Sequence, residues 1–330
     1  AGLRCVPMSI DQTRRLFARA LETPGGLKIQ TIHSFCESVL RRFPLEAGAP
    51  PGLSVLEDAE SFALMNAALD EIARNAGRDA EIAAAFDQLT SERNEDQLRE
   101  LLVGAASNGV ALENGGDVND RIAVLEQVLR VDPDLSGETL ASQFITSLND
   151  NELKRAHDGL AAEGTQPQEA SQRLSPYFSA SSDDEKWEAL EAFFLTGAGT
   201  PYKRLATNAT DKHDPWVKPY LQELVSGFAA AIEQRKAFKI FQDTVAQWRL
   251  TAALRKRYET AKAARAALDF DDLILRCRAL FKRAESAWIM YKLDFGVEHI
   301  LLDEAQDTSP RQWEVIESLF EEFFSGAGSR

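Results

Sequence analysis

The sequence contains few cysteines, and their spacing does not suggest a shared site. Its 330 residues include three cysteines, Cys5, Cys36 and Cys277, which are odd in number and far apart. This arrangement argues against a disulfide framework and against a zinc module. His33 and Cys36 have the spacing of half a metal site on a helix, but the sequence offers no second pair to complete one.

Long apolar runs are missing as well. No run approaches the roughly 20 residues of a membrane-spanning helix, and the first residues lack the basic-then-apolar pattern of a secretion signal. We therefore expect a cytoplasmic protein with no membrane partner. A hydrophobic content of 44% and a charged content of 27% are ordinary for a globular chain, which at this length can form a large core and two domains.

The charge is acidic overall but unevenly distributed. A formal net charge of −15 argues against general binding to polyanions. Residues 235–283, however, hold thirteen Lys and Arg against five Asp and Glu. A solvated helix face explains most of these basic side chains, and a surface that follows a nucleic-acid backbone on a few of them stays open.

The N-terminal region combines helix and strand patterns. Ser9 can cap a helix that runs to about Glu22, whose apolar side consists of Ile10, Leu16, Phe17 and Leu21. Alternation over residues 28–32 predicts a strand, and helical spacing predicts a helix over 33–43.

The turn between that strand and that helix carries Thr31, His33 and Ser34. Hydroxyls and N–H groups at the start of a helix suit a phosphate of a nucleic-acid backbone. On spacing alone, simple capping of the helix is the better explanation.

The middle of the chain is predicted to be helical. After a short strand over 53–56, helical patterns separated by turn residues extend from about 59 to 225. A long helix is predicted from about 225 to 267. Its seam is typical of packed core rather than of a surface that stacks bases, and it consists of Phe238, Phe241, Val245, Trp248 and Ala252.

The most specific segment runs from His299 to Pro310. Three apolar residues, 300–302, predict a short buried strand, and Asp303 and Glu304 follow at its carboxyl end, where α/β sheets bind ligands. An Asp there can hold Mg²⁺ through water, and the adjacent Glu can polarise a water for attack on a γ-phosphate. Ser309, Pro310 and Gln312 then predict a capped helix.

Three segments resemble motifs of the UvrD/Rep/RecB-type DNA helicases of superfamily 1. Asp303-Glu-Ala-Gln-Asp-Thr308 resembles their motif II, and Thr31-Ile-His-Ser-Phe-Cys36 resembles motif Ib. Asp269-Phe-Asp-Asp-Leu273 resembles the DFDDL motif found between them, and Tyr258 stands where the family places an aromatic residue. The residues flanking motif II, 288–294 and 309–313, resemble the AddA-type helicase–nuclease subunits.

The resemblance implies an α/β, mostly helical fold. It implies a partial RecA-like (P-loop NTPase) core, domain 1A, built from residues 1–58 and 226–330, with a large all-α inserted domain, 1B, over 59–225. It further implies an ATP-dependent DNA helicase and exonuclease that acts on single- and double-stranded DNA in double-strand-break repair and recombination. A second, AddB-like helicase–nuclease subunit would be its partner.

The same resemblance implies roles for individual residues. Asp303 would be a magnesium ligand, and Asp303 and Glu304 would face ATP. Glu304 would activate the hydrolytic water, and Gln306 would couple the nucleotide to DNA. Single-stranded DNA would lie on Thr31, His33 and Ser34.

The sequence departs from the family at the phosphate loop. It contains no Gly-x-x-x-x-Gly-Lys-Ser/Thr, and it lacks motifs III to VI, which the family carries after motif II. We therefore expect the chain to be a segment of a longer motor and to be inactive as an ATPase by itself, because phosphoryl transfer depends on positioning and electrostatics.

Two other functions fit the sequence. One is a helical protein-interaction module in which the motif II-like residues are structural. The other is a metal hydrolase that uses Asp303 and Glu304 with the acidic group Asp269, Asp271 and Asp272.

Overall fold

Helices dominate the structure, a computed structural model. It describes residues 9–22, 29–107, 117–162, 165–202, 205–206, 210, 214–282, 288–289, 292, 301–303 and 305–325. The α-helices are α1 (Ile10–Glu22), α2 (Ile32–Arg42), α3 (Asp58–Asn75), α4 (Ala80–Thr90), α5 (Glu95–Ser107), α6 (Val118–Leu129), α7 (Gly137–Ser147), α8 (Asp150–Ala161), α9 (Thr165–Ser179), α10 (Asp183–Phe194), α11 (Val217–Ala264), α12 (Phe270–Phe281) and α13 (Pro310–Ser325). Short 3₁₀ turns cover Ala76–Arg78 and Ala305–Asp307.

Two strands, β1 (Ser54–Val55) and β2 (Ala267–Leu268), form a parallel pair. Ser54 lies opposite Ala267 and Val55 opposite Leu268. The N–H of Leu56 donates to the carbonyl of Leu268 at 2.8 Å. The short strand predicted over 53–56 is therefore present, and its partner is the segment that leads into α12.

The chain divides into two compact units. The first consists of Ala1–Ala68 and Lys256–Arg330, and the second of Leu69–Arg255. Helices α3 and α11 each contribute residues to both units.

The core of the first unit is built from α2, α12, α13 and the strand pair. Its buried residues include Cys36 and Leu40 on α2 and Val315 on α13. Helix α12 contributes the largest share, because Leu273, Ile274, Cys277, Leu280 and Phe281 are all buried. Side chains spaced three and four residues apart share one face of a helix, so α12 buries one face along its whole length.

The second unit has an aromatic core. Phe228 on α11 contacts the rings of Phe144, Trp187 and Phe194, with centroid separations of 5.5, 4.8 and 4.9 Å. Further along α11, Phe238 and Phe241 are buried against a cluster that includes Ile122 of α6. The prediction that this seam is core is thus confirmed.

Two predicted strands are wrong. Residues 29–31 form no strand, Ile29 is exposed, and Ile32 already belongs to α2; Lys28 lies outside the described residues. Leu301 and Leu302 are also not in a strand, and Leu301 is 97% exposed; Ile300 lies outside the described residues. A strand needs a neighbour for its backbone hydrogen bonds, and in the described residues β1 and β2 pair with each other only.

Helix α1 forms where it was predicted, and Ser9 and Gln12 make its capping box. Its apolar side is nevertheless largely solvent-exposed at Ile10, Leu16 and Phe17. The side chain of Leu21 is outside the described set. None of the helices in the described ranges is both long and apolar enough to cross a membrane.

Candidate nucleic-acid and nucleotide site

The first turn of α2 presents a group of polar atoms to solvent. Thr31 is the N-cap, and its Oγ1 accepts a hydrogen bond from the N–H of Ser34 at 3.2 Å. Thr31 Oγ1 also donates to Ser34 Oγ at 3.0 Å, and both side chains are exposed. Because the first N–H groups of a helix have no partner within it, this turn can bind an anion. The predicted capping is therefore real, and it leaves the surface accessible.

His33 lies on the same turn and is half-buried. Its ring contacts that of Phe270, with centroids 4.9 Å apart and planes inclined by 48°. Phe270 is the first residue of α12. The N-terminal turns of α2 and α12 therefore meet at this pair of rings.

The motif II segment immediately precedes α13. Asp303 and Gln306 are exposed, and Gln306 belongs to the short 3₁₀ turn Ala305–Asp307. Glu304 lies outside the described residues. Gln312 donates its N–H to Ser309 Oγ at 3.3 Å, and Ser309 donates its N–H to Gln312 Oε1 at 2.9 Å. The predicted capping box and the proline at the first helical position are confirmed.

Helix α12 supports both segments. A hydrogen bond between the buried thiols of Cys36 and Cys277 joins α2 to α12, and this bond together with burial raises the pKa of Cys277. Glu314 of α13 forms ion pairs with Arg278 of α12 and with Lys282, the C-cap of that helix, each at 2.6 Å. Helix α2, which begins in the motif Ib-like segment, and helix α13, which follows motif II, therefore both contact α12. The DFDDL residues form the start of α12.

A buried lysine is the residue that sequence reasoning missed. Lys262 is 2% exposed, and its Nζ donates to Asp269 Oδ2 at 2.8 Å and to Asp272 Oδ2 at 2.6 Å. Tyr258 OH donates to the same Asp269 oxygen at 3.0 Å. We call Tyr258, Lys262, Asp269 and Asp272 the carboxylate clamp. The available signal was a lysine seven residues before the DFDDL segment, within a stretch that contains many other basic residues.

Two residues of the clamp, Asp269 and Asp272, also cap the N-terminus of α12. Asp272 donates its N–H to Asp269 Oδ1 at 2.8 Å, and Asp269 donates its N–H to Asp272 Oδ2 at 3.2 Å. Both carboxylates thus serve a reciprocal capping box and a buried ion pair together.

The pKa values in the clamp reflect competition between burial and pairing. Burial acts against the charged form of Asp269, but the hydrogen bond and charge of Lys262 outweigh it and lower the pKa of Asp269. Burial and the neighbouring charge of Asp269 raise the pKa of Asp272. For Lys262, burial alone would lower the pKa, yet its two carboxylate partners raise it above the ordinary value. Burial raises the pKa of Tyr258 to about 12.

These contacts count against the metal-hydrolase interpretation. Asp269 and Asp272 already bind the ammonium of Lys262, and Asp271 is exposed on the other side of the turn. Among the residues that the structure describes, no group of three His, Cys, Asp or Glu side chains could hold a metal ion.

The fit to magnesium and ATP is only partial. Mg²⁺ is usually held by one or two carboxylates together with water and substrate phosphates, and the exposed Asp303 suits one such ligand position. The phosphates of ATP need a loop of backbone N–H groups and a lysine, and the sequence contains no such loop. The residues present therefore fit one ligand position of the magnesium ion, and the phosphate loop has no counterpart in the sequence.

The basic stretch 235–283 is largely committed to internal contacts. At least ten of the twelve basic side chains that the structure describes here interact with other groups of the chain. Besides Arg257, they are Arg235 with the Trp187 ring, Lys236 with Glu233, Lys239 with Glu92, Arg249 with Glu81, Arg255 with the carbonyl of Ala106, Lys262 with the clamp, Arg276 with the carbonyl of Gly48, and Arg278 and Lys282 with Glu314. Arg283 lies outside the described residues. The local excess of positive charge is thus offset by acids and carbonyls elsewhere in the chain, and it gives little support to a DNA surface.

Comparison with known proteins agrees with the motifs. A stretch of 102 residues is 32% identical to an ATP-dependent helicase/nuclease subunit from Carboxydothermus hydrogenoformans. That match covers 27% of this chain and 9% of the relative. Residues 12–324 match the family described as UvrD/REP helicase N-terminal domain, so the predicted resemblance is confirmed. Since this match covers nearly the whole sequence, the chain belongs to the UvrD/REP helicase N-terminal domain family.

Proposed function

We propose that the chain is the part of an ATP-dependent DNA motor that contacts single-stranded DNA and supplies motif II. The observation that carries the proposal is the family match over residues 12–324, in which the segment Asp303 to Thr308 keeps the sequence of motif II. The relative from Carboxydothermus hydrogenoformans is named as an ATP-dependent helicase/nuclease subunit, which supports a motor of the AddA type.

In this proposal the two compact units correspond to two helicase domains. The first unit, which contains both motifs, belongs to the RecA-like domain 1A, and the second belongs to the helical insertion 1B. The predicted boundaries, 1–58, 59–225 and 226–330, stay a prediction about domains. The compact units divide instead after Ala68 and after Arg255.

Single-stranded DNA binds at the first turn of α2. The exposed hydroxyls of Thr31 and Ser34 and the first N–H groups of that helix bind a backbone phosphate, and His33 of the same turn adds a further contact. These are neutral donors, which suits a chain whose net charge is −15. Contacts of this kind position a strand without reading its sequence.

The motif II residues act in the complete motor. Asp303 would hold Mg²⁺, which would offset the charge of the phosphates; Glu304 would orient the attacking water, and Gln306 would link the nucleotide site to DNA. The phosphate loop must come from sequence that this chain does not contain. The whole motor is an ATP-dependent helicase and exonuclease that works with an AddB-like partner in the cytoplasm, in double-strand-break repair and recombination.

The DNA contact can be tested on the chain itself. We expect it to bind a fluorescently labelled oligothymidylate, with an affinity that falls as salt is raised because neutralised phosphates release counterions. Thr31→Ala removes a neutral donor to a charged phosphate, so the Kd should rise by about tenfold, equivalent to about 1.5 kcal/mol.

A matched control separates DNA binding from helix capping. Ser136 is the N-cap of α7 in the second unit, and its Oγ accepts the N–H of Thr139 at 3.0 Å. Ser136→Ala removes a capping hydroxyl as Thr31→Ala does, each at a cost of about 1 kcal/mol of stability, but it should leave the Kd unchanged. No binding at low salt would contradict the proposed contact and would favour the helical interaction module.

A further inference from the structure

Two helix starts meet at one ring contact in the first unit. His33 lies in the first turn of α2 and Phe270 is the first residue of α12, and their ring centroids are 4.9 Å apart. The two rings are tilted by 48°, within the range that aromatic pairs adopt when they attract each other. Both side chains are half-buried, so the pair borders solvent.

Each ring stands on a fixed backbone. The start of α2 is held by the Thr31 cap, and the start of α12 by the reciprocal capping box of Asp269 and Asp272. Lys262 binds both of those carboxylates. The carboxylate clamp therefore fixes the backbone immediately before Phe270.

Phe270 differs from the core residues of the same helix. Leu273 and Cys277 are fully buried, whereas Phe270 packs at the edge of that core and keeps part of its surface exposed. At this edge the Phe270 ring also contacts the polar side chain of His33. The contact with His33 is thus a distinct feature of this position.

A ring contact restricts how the imidazole can turn. A half-exposed histidine samples several rotamers, and ordering it on binding costs conformational entropy. Contact with the Phe270 ring removes part of that freedom beforehand. The imidazole is then held on the turn that also carries the exposed side chains of Thr31 and Ser34.

We propose that Phe270 is a positioning residue, which holds the His33 imidazole in the orientation that meets a backbone phosphate of single-stranded DNA. This inference rests on the proposed function, in which His33 contacts the strand. Phe270 itself does not touch the DNA and acts through His33. The DFDDL segment thereby serves the DNA contact as well as the start of α12.

The test is a double-mutant cycle in oligothymidylate binding by the full chain. Phe270→Leu keeps an apolar side chain but removes the ring, and we expect the Kd to rise about two- to tenfold, as aromatic-pair energies imply. His33→Ala should weaken binding at least as much. Combined with His33→Ala, Phe270→Leu should have no further effect, because its only route to the DNA is gone.

Two further variants separate positioning from packing. Phe43 is the C-cap of α2, outside the Thr31–Cys36 segment, and its ring is buried in the same core, so Phe43→Leu is the matched control and should leave the Kd unchanged. Phe270→Tyr keeps the ring and should retain wild-type affinity. Should Phe270→Leu fail to fold, Phe270→Met provides the same removal of the ring with a flexible apolar side chain.

Histidine NMR gives a readout without DNA. The chain has four histidines, and His33→Ala identifies the signals of His33. Ring current from Phe270 should displace these signals, and Phe270→Leu should return them towards random-coil positions while Phe43→Leu does not.

The outcomes distinguish the two proposals. If wild type does not bind the oligonucleotide, or His33→Ala leaves the Kd unchanged, the assignment of His33 to DNA is wrong. If His33→Ala weakens binding but Phe270→Leu does not, the positioning role is wrong and the DNA contact stands. An equal loss from Phe270→Leu with and without His33 would likewise overturn the positioning role.

Discussion

The carboxylate clamp should dominate the stability of the first unit. Lys262→Met keeps the length of the side chain but removes the ammonium that binds Asp269 and Asp272. Lys262 is 2% exposed, so water cannot replace it without opening the structure. The variant therefore leaves two carboxylates close together, each on a side chain only 16% exposed, without their shared cation.

The expected loss is large because one partner of a buried ion pair is removed. Such changes cost about 3–5 kcal/mol, which is a large part of the stability of an ordinary domain. The capping box of α12 is expected to weaken as well, since its two carboxylates then repel each other. Lys282 provides a matched control: it pairs with Glu314 at 2.6 Å but is 55% exposed, so Lys282→Met should cost less than about 1 kcal/mol.

The loss should also depend on pH in a specific direction. In wild type the pKa of Asp269 is lowered, so its stabilising contribution is present above about pH 4 and fades as pH falls further. Without Lys262 both buried carboxylates should have raised pKa values. The folded variant then takes up protons more readily than the unfolded chain, and its stability rises as pH falls towards about 4. The difference between variant and wild type is therefore largest at neutral pH.

Hydrogen–deuterium exchange of α12 measures this effect locally. At neutral pH we expect amides of Phe270–Phe281 to exchange between about one hundred and several thousand times faster in Lys262→Met, the rate equivalent of the expected loss. Amides of α10 in the second unit serve as the internal reference. If the amides of α12 keep their protection in Lys262→Met, or if their loss of protection grows as the pH falls, Lys262 does not stabilise α12 through the two carboxylates.

Other predictions concern packing. A Cβ on Gly159 would lie 2.9 Å from a methyl carbon of Val217, so Gly159→Ala should lower stability by about 1–3 kcal/mol in urea unfolding. Gly104 is an exposed helical residue with open space around it, so Gly104→Ala should instead raise the free energy of unfolding by up to about 1 kcal/mol. Equal effects of the two substitutions would show that the contact with Val217 does not limit residue 159. Cys36 and Cys277 are buried, so iodoacetamide followed by mass spectrometry should leave them unmodified in the native chain but alkylate them in guanidinium chloride; native alkylation would show that α2 and α12 separate readily.

Helices with local signals could be predicted from the sequence. Ser9 with Gln12 and Ser309 with Gln312 form the capping boxes that their spacing indicates. Aromatic residues at helical spacing identified the buried seam of α11. These signals act within a few residues, so they can be read without the fold.

The strands and the ring contact of His33 depended on partners far away in the sequence, whereas the clamp depended on the turn between two helices. Apolar alternation at 28–32 and the run at 300–302 were insufficient, because a strand forms only where another strand accepts its hydrogen bonds. The contact between His33 and Phe270 joins residues from opposite ends of the chain, so spacing could not reveal it. The role of Lys262 could not be predicted from spacing either. Its ammonium reaches Asp269 and Asp272 only because the chain turns between the end of α11 and the start of α12.

ATP hydrolysis is the decisive assay for the assignment of motif II. It should be measured with and without single-stranded DNA, on this chain and on a longer polypeptide that adds a Gly-x-x-x-x-Gly-Lys-Ser/Thr loop and motifs III to VI. We predict hydrolysis only in the longer polypeptide, stimulated by DNA, and lost by a factor of about one hundred or more in Glu304→Gln while nucleotide binding persists. Undiminished hydrolysis in Glu304→Gln, or none in the longer polypeptide with DNA, would contradict the assignment of motif II.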